Sequence, residues 1–121
     1  AAYLCERFCC LGNQGQEIYW HHGIEIDADG RPTQILASEA GDDFEAIACY
    51  EQIYALVGLT QTYRANGDQT LLDTIRGTVN FLDQYFWDDG PEGGYFSHID
   101  PITFSPLDET LGRNRWRKNW N

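Results

Sequence analysis

The chain of 121 residues has no apolar run near the ~18 residues that a membrane helix needs, so a spanning segment is not expected. Its first residues, Ala1-Ala2-Tyr3-Leu4-Cys5-Glu6-Arg7, lack a basic stretch leading into an apolar one, so no leader peptide is expected either. Basic residues are scarce. Eight Lys and Arg face nineteen Asp and Glu, for a net charge of −11. Such a field repels nucleic acid and anionic lipid, and neither is an expected partner. Half of the basic residues, Arg113, Arg115, Arg117 and Lys118, crowd the last nine positions. That tail interleaves charge with Trp116 and Trp120, a pattern that can stack on single-stranded nucleic acid. The acidic remainder of the chain makes pairing with its own carboxylates the better reading.

Chemical motifs are also few. No phosphate-binding loop is present, so a nucleotide effector is not expected. Cys5, Cys9, Cys10 and Cys49 are too clustered for a disulfide scaffold, and no second Cys/His pair stands at metal spacing. They read as free thiols in a reducing, cytoplasmic compartment, with no metal and no cofactor. Asp27 and Asp29 lie in a hairpin turn before Gly30. A calcium loop starting there would need Glu at its twelfth position, where Ser38 stands.

What is present is hydrophobic periodicity. Tyr3, Leu4, Phe8 and Leu11 mark the end of a helix that reaches Leu11 and stops at Gly12. Ile18 to Ile26 alternates as one strand, with a turn at Asp27–Gly30 and a return over Arg31–Ile35, held to an edge by Pro32. A long helix is expected from an N-cap at Asp42 or Asp43 to about Ala65. Its core face would be Ile47, Tyr50, Tyr54 and Val57, flanked by Ile53, Leu56 and Leu59. Glu45 reads with the two aspartates as a complement to the helix dipole. Asn66-Gly67 stops that helix and Asp68 caps the next, whose face is Leu71, Leu72, Ile75, Val79, Leu82, Tyr85 and Phe86. A two-residue link forces an antiparallel hairpin. Gly77 inside the second helix suggests a close approach.

The chain also repeats itself. Tyr19-Trp20-His21-His22 returns, 76 positions on, as Tyr95-Phe96-Ser97-His98. About one and a half such units fit in the chain, and repeat folds generally need three or more. Residues 1–121 are therefore expected to be part of a domain, completed by the rest of a longer fold or by self-association.

The run Cys49-Tyr50-Glu51-Gln52-Ile53-Tyr54-Ala55-Leu56, followed by Tyr63-Arg64-Ala65-Asn66-Gly67-Asp68, resembles the N-acylglucosamine 2-epimerase and cellobiose 2-epimerase family. Asp88 with Gly93-Gly94-Tyr95-Phe96 is similar to that family's Gly-Gly-aromatic hairpin, and Tyr19-Trp20 with Asp27–Pro32 to the hairpin before it. Lys118-Asn119-Trp120-Asn121 is similar to a Lys-x-Met-Asn segment, with Trp in place of Met. The resemblance implies a mainly α fold, helix hairpins joined by β-hairpins, as part of an (α/α)6 toroid. It implies an isomerase of carbohydrate metabolism that transfers a proton at C2 of an open-chain sugar, epimerising it or converting aldose to ketose. It implies substrate-binding roles for Tyr50 and Asn121.

The family's catalytic histidines lie on inner helices, whereas His21, His22 and His98 lie in hairpins. No catalytic residue is therefore assigned, and these residues alone are expected to be inactive. His22 and His98 occupy equivalent repeat positions, either bonded to loop carbonyls or touching substrate at a barrel mouth. Trp20, Trp87, Trp116 and Trp120 read as packing residues or as stacking faces for sugar. Two other readings remain open. One is a non-catalytic carbohydrate-binding or assembly protein of the same fold. The other is a six-hairpin glycoside hydrolase using Asp42, Asp43 or Glu45.

Overall fold

A computed structural model describes residues 1–11, 17–36 and 46–112 of the chain. It contains helices and short antiparallel strand pairs. Helix α1 spans Ala2–Phe8 and leads into β1, Cys9–Leu11. Strand β2, Ile18–Trp20, pairs with β1 in the register Cys9↔Trp20 and Leu11↔Ile18. Strand β3, Gly23–Ile26, pairs instead with β4, Pro32–Ile35. Strand β5, Ile47–Ala48, precedes helix α2, Cys49–Asn66. Helix α3 is Gln69–Tyr85, strand β6 is His98–Ile99, and α4 is Glu109–Gly112.

Two sequence expectations are corrected at the start of the chain. The first helix ends at Phe8, because Cys9 is extended and its strand pairs with β2. The expected strand from Ile18 to Ile26 breaks at His21-His22, and its halves pair with different partners. The Asp27–Gly30 turn forms as expected. The Asp27 carboxylate accepts from the amides of Asp29 and Arg31 at 2.9 and 2.8 Å.

Helix α2 begins at Cys49, not at Asp42 or Asp43. Ile47 and Ala48 are drawn into pairing with Ile99 and His98, and Cys49 N–H donates to the Ser97 carbonyl at 2.9 Å. Strand pairing here overrides helix propensity. The proposed caps at Asp42 and Asp43, with Glu45, lie outside the described residues. The helix end is as expected. Gly67 adopts φ 68°, ψ 19°, and its N–H donates to the Tyr63 carbonyl at 2.7 Å. The Asp68 carboxylate then accepts from Thr70 N–H at 2.9 Å and from the Thr70 hydroxyl at 2.7 Å. Those bonds hold its pKa below the ordinary carboxylate value.

The helix hairpin carries two core clusters. Near its turn, Trp20, Leu59 and Leu71 are buried, with Leu4, Phe8, Ile18, Tyr63 and Ile75 against them. Towards the other end lie Ile47, Phe81, Leu82, Phe86 and Ile99, with Tyr19, Leu56, Tyr85 and Phe104 packed on them. The expected α3 face is mostly inside, with Leu71, Leu82 and Phe86 buried, and it differs in two ways. Thr78 and Phe81 are buried while Val79 is exposed. Thr78 is drawn inward because the Trp20 indole N–H donates to its hydroxyl at 2.9 Å.

The α2 face is corrected more sharply. Tyr50, Ile53, Tyr54 and Val57 are exposed, and the fully buried residues are Gln52 and Leu59. Gln52 faces the core because its amide bonds the backbone of Trp20.

Gly77 is the close approach that its place in α3 suggested. A Cβ there would collide with the Ile18 Cδ1 and sit 3.1 Å from Cγ1. Gly77→Val should cost about 1–3 kcal/mol through overpacking. Ile18→Ala on top should recover part of that loss. A double-mutant cycle in urea that finds the two effects simply additive would contradict this contact.

The two halves of the repeat share one local plan. After α1, Cys10 pairs with Tyr19; after α3, Trp87 bridges Tyr95. Each helix is thus followed by an antiparallel return at equivalent repeat residues, Tyr19 and Tyr95. No described helix is long and apolar enough to cross a membrane.

Candidate functional site

Where β2 ends, the chain turns sharply and presents His21 and His22 side by side before β3. The first turn of α2 runs past the same place and brings Glu51 opposite. His22 Nδ1 lies 2.5 Å from Glu51 Oε1. An ionised carboxylate only accepts, so Nδ1 carries the hydrogen, and in the neutral ring Nε2 keeps its lone pair. The Glu51 side chain is 12% exposed and that of His22 42% exposed. The pair therefore stands at a rim, with the carboxylate on the inside.

The rim encloses a hollow of about 220 Å3, lined by Leu4 and Phe8 of α1, by Trp20, and by Tyr54 and Ala55 of α2, with His21, His22 and Glu51. The lining is largely apolar and aromatic, and His21, His22 and Glu51 bring polar groups to it. Such a mixture suits an amphipathic ligand.

His21 is held differently. Its Nε2 lies 2.9 Å from the Cys10 Sγ. Burial lowers its pKa, while the Gln34 side chain beside it partly opposes that shift. The His21 ring and the Cys10 sulfur are hydrogen-bond partners. Burial pushes Cys9 up to about 11 and also raises Cys5 and Cys49. All four cysteines are free thiols. Burial raises Tyr19 too, aided by a hydrogen bond with Cys10.

The lowered His21 makes stability pH-dependent. The unfolded chain takes up a proton near the ordinary value of 6.5, whereas the folded chain resists it. Stability is then full above that pH and falls as pH drops through it towards the lower folded value. The urea midpoint should fall between about pH 8 and about pH 5.5. His21→Gln should shrink that fall, and an unchanged pH dependence in the variant would contradict the assignment.

Tyr50, expected to hold substrate, is half-exposed on α2 next to Glu51. Its ring packs edge-on against Tyr54 at 6.3 Å, and Tyr54, not Tyr50, lines the hollow. Asn121 lies outside the described residues, as do Trp116, Trp120 and the basic tail. Trp20 is core. Trp87 packs edge-on against Tyr95 and is exposed. His98 Nδ1 lies 2.9 Å from the Ser97 hydroxyl. His22 bonds a carboxylate rather than a loop carbonyl, which corrects the simpler of its two readings.

Glu51 was missed by sequence reasoning. It is 29 positions from His22, and only its place in the first turn of a helix marks it. Among the described residues no group of three His, Cys, Asp or Glu side chains converges as a metal site. In comparisons with known proteins, no family model, no curated protein and no solved structure matches this chain.

Proposed function

We propose that the chain is a segment of a six-hairpin helical toroid whose parent is a cytoplasmic sugar 2-epimerase or aldose–ketose isomerase. The observation that carries this reading is the exposed apolar face of α2. Ile53, Tyr54 and Val57 form an apolar helical stripe on the solvent side of the described core, and Tyr54 is 73% exposed. A helix apolar on both sides belongs between two neighbours. In a toroid, α2 would pack on α3 behind it and on further hairpins beside it. The repeated helix-then-return plan and the epimerase-like motifs along α2 point the same way.

In that reading the parent abstracts a proton at C2, next to the open-chain carbonyl, and hydrogen-bond donors stabilise the enediolate oxygen. Histidines outside this chain supply the base. Tyr50 and Asn121 bind sugar hydroxyls.

The test is exchange of the C2 hydrogen of glucose and mannose in D2O, followed by proton NMR. A polypeptide that extends this chain through the missing helices should wash deuterium into C2, and residues 1–121 alone should not. No exchange by the extended polypeptide would sink the reading. The bare stripe predicts self-association as well. Elution volume in gel filtration should fall as protein concentration rises, and Ile53→Glu with Val57→Lys should abolish the change. A concentration-independent monomer would argue against an interrupted helix layer.

A further inference from the structure

We infer that the hollow between α1, the β2–β3 junction and α2 is a binding site for a small neutral polyhydroxylated ligand, with His22 Nε2 as hydroxyl acceptor and Glu51 as its positioning residue. The inference rests on the sugar reading for its ligand class, but its geometry stands alone.

The polar groups of the hollow offer acceptors. Glu51 Oε1 lies 2.5 Å from His22 Nδ1 and takes its hydrogen, so that whenever the ring is neutral Nε2 is a lone-pair acceptor. No Lys or Arg stands among the described lining residues. A ligand that bonds His22 Nε2 or the Glu51 carboxylate must therefore donate. It must also be uncharged or cationic, because Glu51 and the overall charge of −11 repel anions. The rest of the lining is Leu4, Phe8, Trp20, Tyr54 and Ala55, mostly apolar surface. A sugar or polyol matches both kinds of surface, with O–H donors on its edge and C–H groups on its face. The volume, about 220 Å3, is below the roughly 300–1,000 Å3 of drug-sized pockets and suits a single sugar ring.

Glu51 also orders the site before any ligand arrives. It sits in the first turn of α2, where a carboxylate is favoured by the helix dipole. Its bond to His22 ties the β2–β3 junction to the helix. The imidazole is thereby held in one tautomer and one orientation, and the ligand need not order it.

The experiment is a titration of the purified protein with D-glucose and D-mannose, read by nitrogen-15 shifts of the histidine rings. The free protein should show His22 with hydrogen on Nδ1, and sugar should move its Nε2 resonance. His22→Ala should weaken binding at least tenfold. Glu51→Gln should keep the fold, shift the His22 tautomer mixture and weaken binding several-fold, which a merely structural role would not do. Saturable binding that leaves the His22 resonances unmoved would overturn the proposal, as would binding of ethylammonium in place of sugar.

Failure here and failure of the parent function are separable. C2 exchange by the extended polypeptide, with His22 resonances that sugar leaves unmoved, removes the site and leaves the enzyme. Sugar binding at His22 without any C2 exchange removes the enzyme and leaves the site.

Discussion

Replacing Gln52 by leucine should destabilise the protein by about 2–5 kcal/mol, although the side chains are similar in size and no apolar contact is lost. Gln52 is fully buried. Its Oε1 accepts from Trp20 N–H at 2.8 Å, and its Nε2 donates to the Trp20 and Ala48 carbonyls, both at 3.2 Å. Trp20 is the last residue of β2, and its amide and carbonyl face α2. Gln52 stands where a third strand would otherwise be needed. Leucine leaves two backbone groups of a buried residue without partners, and each costs about 1–3 kcal/mol. Against the roughly 5–15 kcal/mol that a domain possesses, that is a large share. Glutamate at the same site makes a further distinction. A buried carboxylate facing carbonyl oxygens must hold a proton, so its folded pKa is raised. Gln52→Glu should therefore gain stability as pH falls through that raised value. Urea melts of the three proteins at two pH values check both statements. A leucine variant as stable as the parent would mean that the Trp20 backbone finds other partners.

Phe81→Ala is expected to cost about 3–5 kcal/mol, the range for a large buried ring. Phe81 is at the centre of an aromatic group. Its ring stacks on Tyr19 at 5.3 Å and meets Tyr85, Phe86 and Phe104 at 5.1, 5.9 and 5.5 Å. Phe104 is held at φ 55°, a left-handed backbone that a non-glycine residue adopts at a cost of roughly 1–2 kcal/mol. Packing against Tyr19, Phe81 and Tyr85 offsets that cost. Phe81→Ala removes part of this compensation, so Phe104→Gly should be less damaging in the Phe81→Ala background than in the parent. Additive losses in the double variant would mean that the Phe104 backbone is held by something else. The loop before it supplies one candidate. The Asp100 carboxylate is buried, which opposes its ionisation, but it accepts from Ile102 and Thr103 N–H at 2.8 Å each and from the Thr110 hydroxyl at 2.8 Å. These bonds win, and its pKa is lowered.

Several features were legible in the chain for local reasons. The hairpin of α2 and α3 depends on Asn66-Gly67-Asp68, where a left-handed glycine and a capping aspartate act within three residues. The Asp27–Gly30 turn is equally local. Gly77 stood out because a glycine inside a helix needs a steric reason. The core faces were less legible. Periodicity marks α2 as apolar on more than one side but cannot say which side meets the sheet. Tyr50, Tyr54 and Val57 looked like the core face and are exposed, as is Ile53 beside them. Gln52 and Thr78 belong to neither apolar stripe and are buried.

The site divides in the same way. His22 was visible through the repeat, and Tyr50 through a motif on α2. Glu51 was invisible as a partner, because nothing local links positions 22 and 51. The sequence by itself determined the turns, caps, helix hairpin and acidic balance, since each arises from contacts a few residues apart. Only the tertiary structure decided the α2 start, the buried face and the His22–Glu51 pair. Those depend on strands and helices meeting across long stretches of chain, where the Trp20 backbone needs the Gln52 amide and β6 needs a partner strand.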